Sequence, residues 1–181
     1  MIAKKKVLPI SGSTRSNSSN HLLIRTIADL TADRLEWLEA PSIADLPHFN
    51  PDLDIEPAPP AVAAFRDSLR QADGILICTP EYAHGVPGSL KNAIDWTVGT
   101  ADFSHKPTVL ITASTDGRYG HAALLETLRV IEAGHVDQLQ LQIPFIRTKI
   151  DATGRITDPA ILQAVQQLLA AFIDSLVTAD R

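Results

Sequence analysis

The sequence predicts an α/β fold, a doubly wound five-stranded parallel sheet of order 2-1-3-4-5. Three observations predict it. Short apolar runs alternate with segments of helical periodicity along the whole chain. The run Gly74–Cys78 (GILIC) is continuously apolar, as expected for a strand covered on both faces. The most polar, glycine-containing loops follow the first, third and fourth strands, and in this order all three gather at one end of the sheet.

Each element has its own signal. Val7 to Ile10 reads as the first strand, and Leu23, Ile27 and Leu30 mark one face of the first helix. Arg34 to Leu38 is expected as the second strand. Residues 40–60, APSIADLPHFNPDLDIEPAPP, are too proline-rich for regular structure. A loop of that length in a compact domain points to function or to an interface arm. Val62, Phe65 and Leu69 define the second helix, and GILIC the third strand. After the loop PEYAHGVPG, Leu90, Ile94 and Thr97 place the third helix. Val109 to Thr112 is the fourth strand, followed by the loop ASTDGRYG and a helix through Leu124, Leu128 and Ile131. Val136 to Ile143 alternates and is expected as the fifth strand. In the last helix Asp158 is the cap, Pro159 the first residue, and Ile161, Val165, Leu168, Phe172 and Leu176 one face.

The 181 residues suit a single domain, 1–181, with a sizeable core. A formal net charge of −5 argues against non-specific nucleic-acid binding, which needs a basic stripe. It leaves room for a small anion, because that depends on local charge. Cys78 is the single cysteine, so neither an intramolecular disulfide nor a cysteine-rich metal site is possible. Lys4 to Lys6 precede an apolar run too short for a signal peptide, and no stretch approaches the roughly 20 apolar residues of a membrane span. A cytoplasmic protein is expected, without membrane partners.

The first loop, VLPISGSTRSNSSN, raises a charge question. The helix after it has no Asp or Glu in its first turn, where acids are favoured. It offers Arg15 and the neutral caps Ser16, Asn17, Ser18 and Ser19 instead. A phosphate matches that set of donors. Simple capping, with Arg15 in water, is the competing reading of this loop alone. The spacing is neither a Walker A nor G-x-G-x-x-G, so one phosphate fits better than a pyrophosphate.

These residues resemble the NAD(P)H-dependent FMN reductases, a family of flavodoxin-like fold. Gly12, Ser13, Arg15, Ser18 and Asn20 match its signature G-S-x-R-x-x-S-x-N. Thr79 to Tyr82, Pro87, Gly88 and Leu90 to Trp96 match T-P-E-Y-N-x-x-x-P-G-x-L-K-N-A-I-D-W. The stretch LPHFNPDLD also looks like a loop of that family. Two positions depart: Ala83 stands where the family usually has Asn, and His121 replaces the second of a usual glycine pair. The first departure is expected to remove a side-chain contact near the flavin. The second is expected to narrow the pocket or alter substrate choice.

The resemblance implies an FMN site. Ser13, Arg15, Ser18, Ser19 and Asn20 would hold the phosphate. Pro80, Glu81, Tyr82, Ala83 and Gly85 would meet the isoalloxazine, with Ser114 and Gly117 bordering it from the third loop. No residue is assigned a catalytic role and no metal is expected. NADPH or NADH would be the reductant, and a flavin, quinone, azo compound or metal oxyanion the acceptor. The alternative is a flavodoxin-type electron carrier without NAD(P)H activity. Family members commonly form homodimers or homotetramers, to which the 40–60 arm would contribute, with Trp96 facing a partner subunit.

Overall fold

The structure is a computed structural model that describes residues 3–178. Its strands are β1 (Lys5–Ser11), β2 (Leu35–Trp37), β3 (Gly74–Thr79), β4 (Thr108–Ser114) and β5 (Gln140–Pro144). They form one parallel sheet in the order β2-β1-β3-β4-β5, as the sequence predicts. The helices are α1 (Ser19–Thr31), α2 (Pro60–Gln71), α3 (Gly88–Val98), α4 (Arg118–Val130) and α5 (Pro159–Thr178).

The apolar strands serve both faces of the sheet. Leu8, Ile10, Ile75, Ile77 and Leu110 point to the side covered by α2, α3 and α4, through Phe65, Ile94 and Leu128 among others. Their neighbours Val7, Leu76, Cys78, Val109 and Ile111 point to the side of α1 and α5, against Leu23, Ile27, Val165 and Phe172. Side chains alternate along a strand, so a run without polar residues is what two covered faces require. Asp158 caps α5: its carboxylate accepts from the N–H groups of Ala160 (3.0 Å) and Ile161 (3.2 Å). By length and mean hydropathy (1.5 over its best stretch) α5 does approach a membrane span, contrary to the sequence expectation. Its apolar stripe, Val165, Leu168, Leu169, Phe172 and Leu176, is packed on the sheet, and it behaves as a core helix.

Other expectations shift in detail. Leu30 is 40% exposed, and Thr31 takes the inward position at the end of α1. Thr31 Oγ1 donates to the Ile27 carbonyl at 2.9 Å and accepts from Trp37 Nε1 at 3.1 Å. Ile131 lies just beyond α4 as its C-cap. The strand expected over 136–143 begins only at Gln140. Val136 and Leu139 are buried, yet they sit in turns, with Leu139 N–H donating to the His135 carbonyl. The two buried positions lie three apart, with Asp137 and Gln138 exposed between them, so the alternation in the sequence is not an alternation in burial.

The 40–60 arm is pinned by specific bonds. It contains two short 3₁₀ turns, Ile43–Asp45 and Pro51–Leu53. Asn92 of α3 accepts from Phe49 N–H (2.7 Å) and donates to the Pro47 carbonyl (2.9 Å). Trp96 is fully buried beneath the arm, not at a subunit surface. Its Nε1 donates to Pro47 at 2.8 Å and its ring meets Phe49 edge-on. The buried Arg66 donates through Nε to the Trp96 carbonyl (2.8 Å) and pairs with Asp54 (2.6 Å).

His121 also departs from expectation. It is 3% exposed and turned into the core, so it does not narrow the pocket. Its Nδ1 lies 2.8 Å from Thr112 Oγ1 and its Nε2 2.8 Å from Gln140 Oε1. Gln140 Nε2 donates to Asp137, which turns Oε1 toward the ring. Nε2 therefore carries the proton and Nδ1 accepts from Thr112. Burial holds the imidazole below the usual histidine range, against a smaller opposing effect of the Gln140 bond. A histidine depressed in the folded state favours the fold above its unfolded value near 6.5, and that contribution is lost as pH falls below it. Replacing His121 by Gln is expected to flatten the loss of denaturation free energy between about pH 6.5 and pH 5. Urea titrations across that window would show it; an unchanged slope would remove His121 from the acid response.

Candidate functional site

The strand ends align: Ser11 pairs with Cys78, Thr79 with Thr112, and Ser114 with Pro144. Four loops therefore leave one edge of the sheet side by side. The approach of β1 to β3 there needs glycine. A Cβ on Gly12 would lie 2.1 Å from Thr79 Oγ1, and Gly12 N–H donates to the Cys78 carbonyl at 2.9 Å.

Between the loops lies a cleft of about 480 Å³. Ser13, Arg15, Ser18, Ser19 and Asn20 line it from the first loop, Pro80, Glu81 and Tyr82 from the second, and Ser114 from the third. Nine of the residues predicted from sequence thus face one cavity. Ala83, Gly85 and Gly117 do not line it; they shape the loops that do. A second cavity of about 440 Å³ opens between the C-terminal ends of α3 and α4 and contains none of the predicted residues.

The start of α1 behaves as the charge argument requires. Ser18 is its N-cap, with Oγ accepting from Asn20 N–H at 3.1 Å, and the first turn contains no acid. Among the described residues the N–H groups of Ser16, Asn17 and Ser19 have no protein acceptor, and the Arg15 guanidinium has no carboxylate partner. Asn20 lies inward of this ring of donors. Its Nδ2 donates to the Ala113 carbonyl (3.3 Å) and its Oδ1 accepts from Cys78 Sγ (3.2 Å). Both ends of its amide are engaged, so Asn20 bolts α1 to β3 and β4, and its second Nδ2–H has no protein acceptor among the described residues. Burial pushes the Cys78 thiol far up.

The second loop is clamped from the third. Glu81 N–H donates to Ser114 Oγ at 3.2 Å, and its carboxylate accepts from Gly120 N–H at 2.6 Å. Gly120 is the third residue of α4, whose own cap, Gly117 at φ +95°, has no side chain to offer. Glu81 therefore caps α4 from another loop, at the positive end of its dipole. A Cβ on Gly120 would lie 3.0 Å from the Gly85 carbonyl and 3.1 Å from Glu81 Cγ, so glycine lets the loops close. The rings of His84 and Tyr119 meet at 4.5 Å across the same seam.

Tyr82 and Gly85 exchange two backbone hydrogen bonds, 3.1 and 2.9 Å, around Ala83 and His84. Both central residues have positive φ, +48° and +57°, which L residues other than Asn and Asp adopt at a cost. The N–H groups of Glu81 and Tyr82 are thus spent inside the protein, and the loop meets the cleft with side chains and carbonyls. Asn would suit position 83 for a backbone reason, since it tolerates this conformation.

The sequence reading missed the fourth loop. Phe145, Ile146, Arg147 and Thr148 also line the cleft, beside Thr115 of the third loop. No motif covers residues 145–148, and the fifth strand was expected to end at Ile143. The available signal was topological: a parallel fifth strand must deliver its own loop, IPFIRT, to the same edge.

Comparison with known proteins agrees with this geometry. The profile of the family described as NADPH-dependent FMN reductase matches residues 5–147. An NAD(P)H-dependent FMN reductase of Pseudomonas aeruginosa is 36% identical over 172 residues, covering 92% of each chain. A quinone reductase of Escherichia coli K12 is 37% identical over 180 residues, covering 95% of each. Among solved structures, the flavoenzyme NAD(P)H:(acceptor) oxidoreductase FerB of Paracoccus denitrificans superposes with a TM-score of 0.77 at 28% identity, over 97% of this chain and 98% of the other. An archaeal flavodoxin gives 0.62 at 13% identity, over 97% and 99%, a likeness of fold.

Ala83→Gly or Ala83→Asn is expected to relieve the turn and stabilise the protein by up to about 1 kcal/mol. A raised urea midpoint with an unchanged slope would register it; a lowered midpoint would show that the alanine methyl is needed. With a profile match over residues 5–147 and these relatives, the chain belongs to the NADPH-dependent FMN reductase family.

Proposed function

We propose that this protein is an FMN-dependent NAD(P)H oxidoreductase, passing hydride from nicotinamide to FMN and on to a small acceptor. Acceptors of the class would be flavins, quinones, azo compounds or metal oxyanions. One observation carries the reading: an acid-free helix start with unspent N–H groups and an unpaired Arg15 opens onto the same cleft as the second and third loops.

The residues present fit a flavin mononucleotide. Ser13, Arg15, Ser18, Ser19 and Asn20 would hold its phosphate, and Pro80, Glu81, Tyr82 and Ser114 would flank its ring. Bound FMN supplies the hydride-accepting and hydride-donating chemistry, which needs no side-chain acid or base for the transfer itself. The protein's part is placement. Arg15 and the start of α1 fix one end of the ligand by charge. The Glu81–Gly120 and Glu81–Ser114 bonds hold the second and third loops at a set separation, so the width of the cleft is fixed before anything enters. Tyr82, half exposed at the rim, shields one edge from water while leaving an opening for both substrates in turn.

A homodimer or homotetramer in the cytoplasm is the accompanying proposal. The pinned arm supports it, because it turns Leu53 (46% exposed) and Ile55 (64%) outward. Sedimentation of the purified protein is expected to give more than one subunit; a monomer at micromolar concentration would refute it.

Anaerobic mixing of the FMN-loaded protein with NADPH or NADH is expected to bleach the flavin absorbance, with re-oxidation by an added quinone. Retention of the yellow colour with no nicotinamide oxidised would mark an electron carrier instead. Arg15→Ala should weaken FMN binding by about 1.5–3 kcal/mol, read by quenching of flavin fluorescence. Undiminished affinity would refute the phosphate assignment.

A further inference from the structure

We infer that Arg147, on the loop after β5, is a second cation for the phosphate of the bound mononucleotide. The inference rests on the FMN reading of the cleft.

Placement supports it first. Arg147 and Arg15 both line the cleft, and both also line a hollow of about 340 Å³ beside the first loop, with Ser19 common to the two. Both arginines therefore border the cavities into which the α1 start opens. The backbone beneath Arg147 is held tightly. Phe145 stands at φ +53°, a rare conformation for a bulky residue, and its N–H donates to the Thr115 carbonyl at 3.2 Å. Thr148 returns two hydrogen bonds to the Phe145 carbonyl, from its N–H (2.8 Å) and its Oγ1 (2.9 Å). Ile146, 5% exposed, anchors the turn in the core shared with α1 and α5. Further on, Thr26 of α1 donates to the Gly154 carbonyl at 2.8 Å, so the whole segment rests on that helix. A reversal of the chain at Phe145 thus brings Arg147 back over the cleft.

Charge supports it second. A phosphate monoester carries about −1.5 to −2 near neutral pH. A helix start offers roughly half a positive charge, and Arg15 adds one. Those two sum to about +1.5, and Arg147 brings the total to about +2.5, enough to offset the full dianion. Among the described residues it has no carboxylate partner. Asp151, which shares the hollow, spends Oδ1 on Thr153 and on Arg155 N–H. Glu81, the one carboxylate in the cleft, is committed to Gly120.

The test compares FMN with riboflavin, which lacks the phosphate, by fluorescence quenching in wild type, Arg147→Ala, Arg147→Lys and Arg15→Ala. Arg147→Ala is expected to raise the FMN Kd on the order of tenfold and to leave the riboflavin Kd within about twofold, the difference shrinking in high salt. Arg147→Lys should restore part of the loss. Equal weakening of both flavins, or no change in either, would overturn the inference. If wild type itself fails to prefer FMN, the phosphate reading of the first loop falls with it. If Arg15→Ala removes the preference while Arg147→Ala keeps it, that reading stands and this inference alone fails.

Discussion

Because all five strands run in one direction, every strand-to-helix loop on a given side of the sheet must emerge at the same edge. The site is a consequence of that constraint. Ser11, Thr79, Ser114 and Pro144 end their strands nearly level with one another, and the loops after them have no choice but to be neighbours. What the chain adds is spacing. Gly12 lets β1 and β3 close without a Cβ in the gap, and Gly120 does the same for the second loop and α4. The cleft is what remains between backbones held at those distances.

Three helix starts show how polar satisfaction is shared out. α5 is capped by its own Asp158, through two N–H groups. α4 begins at a glycine with nothing to offer, and Glu81 reaches across from another loop to take its third N–H. α1 has only the neutral Ser18 hydroxyl. The first two ends are complete within the protein, and they tie segments together. The third is left positive, and it opens on the cleft. Glu81 lines the same cavity as Arg15, and its bond to Gly120 N–H gives that carboxylate a partner other than the arginine.

Most of the fold was legible because its strands are buried on both faces and its helices carry clean apolar stripes; Leu23, Val62, Phe65, Leu90 and Leu124 all lie where periodicity put them. Legibility failed where burial came without regular structure. Val136 and Leu139 fill the core from turns, and read as strand they displaced the start of β5 by several residues. The loop after it was then invisible as part of the site. Several motif residues also carry structural roles that the motif does not spell out. Asn20 lines the cleft and bonds Ala113 and Cys78, and Ala83 and Gly85 set the backbone of the turn beside it. A motif records that a residue type is required; whether for the ligand or for the loop around it depends on hydrogen bonds that sequence spacing does not encode.

The contact between Cys78 and Asn20 has a chemical corollary. Quinones, among the acceptors proposed, are electrophiles that add to thiolates. The chain's one sulfhydryl lies sealed under α1, protonated, with its hydrogen directed to an amide oxygen. A catalyst handling such compounds would be inactivated turnover by turnover if that sulfur were reachable; here the arylation target is withdrawn, and the same atom helps hold the first helix in place.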